Sequence, residues 1–170
     1  MRAIIDALVG IFVGIILSVL LLGCDEPAST MSLRDKQACA EKIVEKEFMW
    51  VASHGEDGAM QYTLPRVVVL ETEDFIATYK AFGGSIKPRS RLMGFQFGWN
   101  IYLWAGLDLE NVSDQGIVIH EMGHYVRWRD GWYFPGNPNY IEGEFAQETD
   151  VRVIERAWVK ANWPDGIPCN

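Results

Sequence analysis

The chain has 170 residues, 49% of them hydrophobic, which suits one compact domain with a buried core. Its formal net charge of −8 argues against nucleic acid as a partner, because phosphates attract basic surfaces. The three cysteines are too few for a four-cysteine zinc site.

Residues 1–23 begin with Met1 and the basic residue Arg2 and continue as an apolar run, broken only by Asp6 and Ser18, that ends in a glycine. This pattern predicts an export signal peptide. The Leu-Leu-Gly-Cys sequence that ends at Cys24 resembles the bacterial lipobox, which implies cleavage before Cys24 and lipid on that cysteine. An uncleaved anchor is the alternative, because about 20 apolar residues can span a bilayer. Either way, we expect a membrane-tethered protein that faces outside the cytoplasm, in the bacterial cell envelope or periplasm.

Residues 24–33 then form a tether, and residues 34–170 are expected to form the folded domain. If Cys24 carries lipid, the other two cysteines, Cys39 and Cys169, remain as a pair. In an exported domain such a pair predicts a disulfide, which here would join the two ends of the fold. Two free thiols are the alternative.

Hydrophobic periodicity and turn residues predict the order of the elements. They are a helix near 34–53, a strand at 65–70, a helix at 73–82, a strand or hairpin at 92–105, a helix near 114–129 and a helix at 140–162. This order predicts an α+β fold, in which a small mixed or antiparallel sheet packs against the helix near 114–129.

That helix carries the most informative motif, H-E-x-x-H, in which His120 and His124 flank Glu121. Residues four apart lie on one face of a helix, so both imidazoles can reach a single ion. The carboxylate between them can act as a base toward a water on that ion, which is the arrangement of a zinc hydrolase. The remaining histidine of the chain is His54. It follows a helical run and is expected to lie at the end of that helix.

The residues around the motif support a helix. Ser113 is the predicted N-cap, and Gly131 supplies a stop. Gly123 inside the helix indicates either close approach of another backbone or a tolerated helix glycine. Three apolar side chains form a separate face that can pack in the core: Ile119, Met122 and Val126.

A catalytic zinc site usually has three protein ligands, and the last predicted helix offers glutamates for the third. Its apolar residues Val151, Ile154 and Trp158 form a narrow stripe. Glu144 projects into the middle of this stripe, and Glu148 lies on its flank. Because a buried carboxylate is costly unless it is paired or bound to metal, Glu144 is the first choice of ligand and Glu148 the alternative.

These residues resemble the glutamate-liganded branch of the zincin metallopeptidases, which includes thermolysin-like enzymes. The resemblance covers residues 95–160 and implies a minimal zincin-like domain. In that branch a later helix supplies the ligand glutamate, and an acidic residue one turn further on supports a ligand histidine. The resemblance therefore implies one Zn²⁺ ion held by His120, His124 and Glu144. Glu148 stands where the family usually has a supporting aspartate, and it is either that support or the ligand itself.

Zincins commonly have an edge strand above the metal that pairs with the substrate main chain. By resemblance, Phe97 to Trp104 would be this strand. Trp99, Tyr102 and Trp104 would then either line the substrate cleft or pack in the core.

The implied function is zinc-dependent hydrolysis of peptide bonds in a peptide or protein substrate. Glu121 would take a proton from the attacking metal-bound water and deliver it to the leaving amine. Tyr125 and Tyr140 are both candidates for the donor to the oxyanion.

Two alternatives share parts of this interpretation. One is an envelope lipoprotein with a binding role, whose metal site is structural or vestigial. The other is a zinc amidase that cuts cell-wall crosslinks by the same chemistry. Glu121 favours an enzyme, because a structural metal site has no need of a base.

Overall fold

The computed structural model describes residues 31–54, 63–85, 92–135 and 141–169, without the side chains of Glu144 and Phe145. The predicted export segment, the lipidation site Cys24 and the candidate donor Tyr140 lie outside the described residues. Within those ranges, no helix combines the length and the apolar character that crossing a membrane requires.

The described residues form four helices and a three-stranded sheet. In chain order these are α1 (Leu33–Ala52), β1 (Arg66–Leu70), α2 (Thr72–Ala81), β2 (Gly94–Phe97), β3 (Asn100–Trp104), α3 (Val112–Arg129) and α4 (Glu144–Asn162). The predicted α+β class with a small mixed sheet is confirmed.

The sheet has the order β1-β3-β2, with β3 in the centre. β1 runs parallel to β3 with Val67 opposite Ile101, and β2 runs antiparallel to β3 with Phe95 opposite Tyr102. The prediction of one edge strand from Phe97 to Trp104 is therefore wrong. That stretch contains the turn of a hairpin and the central strand, and the two edge strands are β1 and β2. Local alternation identifies strands but does not identify their neighbours, which depend on the fold.

Alternate side chains of the sheet face two different layers. Val67, Val69, Ile101 and Leu103 are buried in the core that includes residues of α1 and α3. On the opposite face, the Phe95 ring lies 5.3 Å from that of Phe75 in α2.

The aromatic residues predicted for the cleft lie elsewhere. Tyr102 stacks on Phe95, on the α2 face of the sheet. The indole N–H of Trp104 donates to Thr72 Oγ1 over 2.9 Å, also on that face. Trp99 sits in the hairpin turn and packs edge-on against Trp128, with 5.6 Å between ring centroids. The prediction that these three residues could line the cleft is wrong, because strand alternation and the turn direct them away from it.

Both ends of the described domain are joined near α1. Cys39 in α1 and Cys169 form a disulfide, with their Cα atoms 4.8 Å apart. His54 follows Ser53, the C-cap of α1, and its Nδ1 lies 2.9 Å from the carbonyl oxygen of Trp50, so it lies at the C-terminal end of this helix.

Candidate metal centre

The helix that carries the motif starts two residues earlier than predicted. Its N-cap is Asn111, whose side-chain oxygen accepts the N–H of Ser113 over 2.8 Å. Ser113 is therefore a residue of the first turn and not the cap; both residue types can cap a helix, so composition alone does not separate them. The helix ends at Arg129, and Gly131 follows with a positive φ of 76°, which is the predicted stop.

Two glycines on α3 allow α4 to approach closely. A Cβ on Gly123 would lie 2.7 Å from Val151 Cγ1, and one on Gly116 would lie 2.7 Å from Val159 Cγ2. Close approach is therefore the reason for Gly123, although the neighbour is a side chain and not a backbone. The apolar face of α3 that includes Ile119 is buried as predicted.

α4 begins at Glu144 after Gly143, which has a φ of 87°. The predicted start near residue 140 is wrong, because residues 141–143 precede the helix and are not helical. The apolar stripe is confirmed, since Val151, Ile154 and Trp158 are all buried. This stripe holds α4 in the core and sets the direction of the polar residues beside it.

Three side chains from these two helices meet at one point. Nε2 of His120 and Nε2 of His124 are 3.1 Å apart. The two carboxylate oxygens of Glu148 lie 3.2 Å from Nε2 of His120 and 3.1 Å from Nε2 of His124. Zinc ligands at 2.0–2.1 Å in tetrahedral directions are about 3.3 Å apart. His120, His124 and Glu148 therefore form a group that could hold a metal ion.

The third member of this group is the alternative ligand from the sequence. The first choice, Glu144, is the first residue of α4, and its side chain lies outside the described residues. Glu148 is one turn further along the helix, beside both imidazoles. Its position on the flank of the apolar stripe leaves its carboxylate half-buried and turned toward α3.

Two residues that the sequence did not indicate hold the outer nitrogens of the imidazoles. Nδ1 of His120 lies 2.9 Å from Glu155 Oε2, and Nδ1 of His124 lies 2.9 Å from the hydroxyl of Tyr133. In the tautomers in which each Nδ1 carries a proton and donates it to these oxygens, both Nε2 lone pairs are available for a metal. The seven-residue spacing from Glu148 to Glu155, two helical turns, is a signal that could have found Glu155. Tyr133 lies in a loop, where no periodicity indicates it.

The charges around the imidazoles favour a cation. Burial lowers the pKa of His120, but its hydrogen bonds with Glu148 and Glu155 outweigh this effect and raise the pKa to about 10. The same contact with His120, together with the one to His124, holds the pKa of Glu148 well below its usual range. The carboxylates thus stabilise positive charge at the point where the three side chains meet.

Glu121 lies beside this group and is only 6% exposed. Burial raises the pKa of its carboxyl, while the positive charges of His124 and His120 oppose the rise. A raised pKa makes a carboxylate a stronger acceptor of protons near neutral pH. The arrangement therefore places a group that could hold a metal ion beside a buried carboxylate that could accept a proton.

A cavity of about 360 Å³ opens over these residues. Its walls come from the segment that leads into β2, from α3 and from α4. Residues that line it are Leu92, Met93, Gly94, Ile117, His120, Glu121, Glu148, Arg152, Glu155 and Arg156.

Tyr125, one of the two candidate donors to an oxyanion, does not line this cavity. Its side chain is fully buried, and its hydroxyl donates to the carbonyl oxygen of Thr63 over 2.7 Å. The hydroxyl makes a structural hydrogen bond away from the cavity. The expectation that Tyr125 could donate to the oxyanion is therefore wrong. Sequence gave no sign of this, because Thr63 is 62 residues away.

Comparison of the chain with known proteins adds no assignment: no protein-family model, no curated protein and no solved structure matches it. The resemblance to zincins stays a prediction that depends on the residues of the motif.

Proposed function

We propose that the protein is a zinc-dependent hydrolase of peptide bonds, with His120, His124 and Glu148 as the metal ligands. One observation carries the proposal: the buried carboxylate of Glu121 lines the same cavity as two of these ligands, His120 and Glu148. A site that only stabilises the fold needs ligands but no base, so this carboxylate favours an enzyme over a lipoprotein with a structural metal site.

Zinc in this site would polarise the substrate carbonyl and lower the pKa of a water toward 7. Glu121 would accept the proton of the attacking water and then deliver it to the leaving amine. Glu155 and Tyr133 would keep the two imidazoles in the tautomer that presents Nε2 to the metal. In this proposal Glu121 is the base, and Glu155 and Tyr133 orient the two ligand histidines.

The edge strand β2 offers a place for the substrate main chain. Among the described residues β2 pairs only with β3, so its other edge carries unpaired backbone groups. Gly94 at the start of β2 lines the cavity, next to Glu121. A peptide added along this edge would bring its carbonyl groups toward the metal ligands.

The test begins with metal content and hydrolysis of a mixed peptide library, with and without a chelator. We expect stoichiometric zinc and cleavage that the chelator abolishes. Glu121→Gln should keep the zinc and lose hydrolysis, while Glu45→Gln, an exposed acid on α1, should retain both. Bound zinc with full hydrolysis in the Glu121 variant would remove that residue as the base. Bound zinc without hydrolysis of any peptide by the unaltered protein would leave the structural site or the cell-wall amidase as the explanation.

A further inference from the structure

The cavity over the metal-binding group extends along α4 toward two arginines. Arg152 is one turn beyond Glu148, and Arg156 is one further turn along the helix, so all three lie near one face. Both arginines line the cavity together with His120 and Glu121. Both are exposed at the surface of the helix and can move toward a bound molecule.

Neither guanidinium is neutralised by a carboxylate of the described part of the chain. The ion pairs there involve His120, His124 and Arg127, and Glu155 directs its carboxylate to His120. Arg127 shows the contrast, because it is buried and pairs with Asp150 over 2.7 Å. In a chain with a net charge of −8, these two guanidinium groups line the cavity without an ion-pair partner among the described residues, beside the carboxylates of Glu121, Glu148 and Glu155 that face the same space.

The groove continues beyond the arginines. A second cavity of about 400 Å³ shares Glu155 and Arg156 with the first and is lined further along α4 by Val159, Lys160 and Trp163. An extended chain bound at the metal-binding group therefore has room to continue past Arg156, over a partly apolar surface.

The spacing along α4 sets where a partner of the arginines would lie. With a rise of 1.5 Å per residue, Arg152 and Arg156 are about 6 and 12 Å from Glu148 along the helix axis. An extended peptide advances about 3.3 Å per residue, so these distances correspond to roughly two to four residues.

We propose that the substrate is a peptide with a carboxylate two to four residues from the scissile bond, on the side that runs along α4. The planar guanidinium groups of Arg152 and Arg156 bind this carboxylate, since their paired N–H groups match its two oxygens. The inference rests on the proposed peptidase function and deepens it. The carboxylate is either the free end of a short peptide or the side chain of an aspartate or glutamate.

The experiment uses pairs of peptides that differ only in one charge. In one pair, the first peptide ends in a carboxylate and the second in a carboxamide. In each of the other pairs, one peptide has Glu and the other has Gln at the second, third or fourth residue from the cleaved bond. We expect kcat/KM to favour the charged member of at least one pair by about tenfold, which is typical of a charge-assisted contact. The terminal pair and the internal pairs distinguish the two sources of the carboxylate.

The double variant Arg152→Gln/Arg156→Gln should reduce this ratio toward one, and Arg152→Glu/Arg156→Glu should reverse it in favour of peptides with Lys at the same place. The matched control Arg34→Gln/Lys80→Gln removes the same net charge from exposed positions outside the cavity and should keep the ratio. A preference that survives the Arg152 and Arg156 changes, or that disappears equally in the control, overturns the inference.

A second readout does not depend on hydrolysis. Binding of the same peptides, labelled with a fluorophore, is measured by anisotropy on the zinc-loaded Glu121→Gln protein. Preferred binding of the charged peptides that is lost in the double arginine variant supports the inference even if the unaltered protein cleaves nothing, in which case the proposed function alone fails. If the protein cleaves peptides but neither kcat/KM nor binding depends on their charge, the inference is wrong and the proposed function stands.

Discussion

Gly94 lies directly against Glu121: a Cβ on Gly94 would lie 2.9 Å from Cγ and 3.0 Å from Oε1 of Glu121. Because Gly94, the first residue of β2, has no side chain, the carboxylate of Glu121 can occupy the space beside it. The contact links the sheet to the motif helix at the point where the reaction is proposed to occur, and it shows why a side chain at position 94 would matter.

The first prediction is that Gly94→Ala displaces the carboxylate of Glu121 without removing the metal. A misplacement of about 1 Å in a catalytic group can lower the rate by about a hundredfold, so we expect kcat to fall by roughly ten- to a hundredfold. Steady-state kinetics and zinc content check this. Gln96→Ala, two residues along the same strand and outside the cavity wall, is the control and should have a much smaller effect. Unchanged kcat in Gly94→Ala would show that Glu121 has room to move.

The second prediction concerns the third ligand. Glu148→Ala removes the carboxylate that contacts both imidazoles, so we expect it to abolish stoichiometric zinc binding. Glu144→Ala changes a residue one turn away, and we expect it to retain most of the zinc. Elemental analysis of both purified variants makes the comparison. If Glu144→Ala loses the metal and Glu148→Ala keeps it, the first choice from the sequence is restored as ligand.

The third prediction concerns the support of the imidazoles. Glu155→Ala and Tyr133→Phe each remove an oxygen that holds an Nδ1 atom, and loss of such contacts typically weakens metal binding by about 10- to 100-fold. We expect the larger effect from Glu155→Ala, because a carboxylate contributes charge as well as a hydrogen bond. Titration against a competing chelator measures both affinities, with Glu110→Ala as an exposed acidic control. Equal affinity in all four proteins would contradict the role of these contacts.

The fourth prediction is that zinc affinity rises with pH. Burial lowers the pKa of His120, but the contacts with Glu148 and Glu155 raise it to about 10, so the metal-free ring is protonated below that value. Zinc needs the free Nε2 lone pair and must displace this proton. The apparent affinity should therefore increase by up to about tenfold per pH unit between about pH 6 and 8, and fall as the pH is lowered.

Chelator competition across that range measures the slope. Calorimetry in buffers of different ionisation enthalpy should also detect release of about one proton per zinc. Glu155→Gln weakens the effect that raises the pKa of His120, so it should flatten the slope. An affinity that does not change with pH would mean that His120 is already neutral in the metal-free protein.

Local features of the chain predicted the local part of the site. The spacing of His120 and His124 depends only on helix geometry, and the stripe of Val151 and Trp158 depends only on periodicity. The seven-residue spacing from Glu148 places Glu155 on the same face of α4, but its contact with His120 depends on how α4 packs against α3, which no local pattern contains.

Two errors have a similar origin. α4 starts later than the periodicity predicts, because Gly143 adopts a positive φ immediately before the helix and ends the preceding loop there. Local sequence does not show that Asn100–Trp104 is the central strand, because pairing with β1 joins residues 34 apart in sequence, such as Val67 and Ile101. Contacts over such separations are set by the whole fold and not by a short window of sequence.

The two glycines of α3 have a consequence for metal choice. His120 and His124 come from one helix and Glu148 from the other, so the width of the ligand triangle depends on how closely the backbones approach at Gly116 and Gly123. Larger divalent cations need longer bonds than zinc does. A methyl group added at either glycine would widen the gap, so we expect these two glycines, which are not themselves ligands, to influence which cations the group could hold.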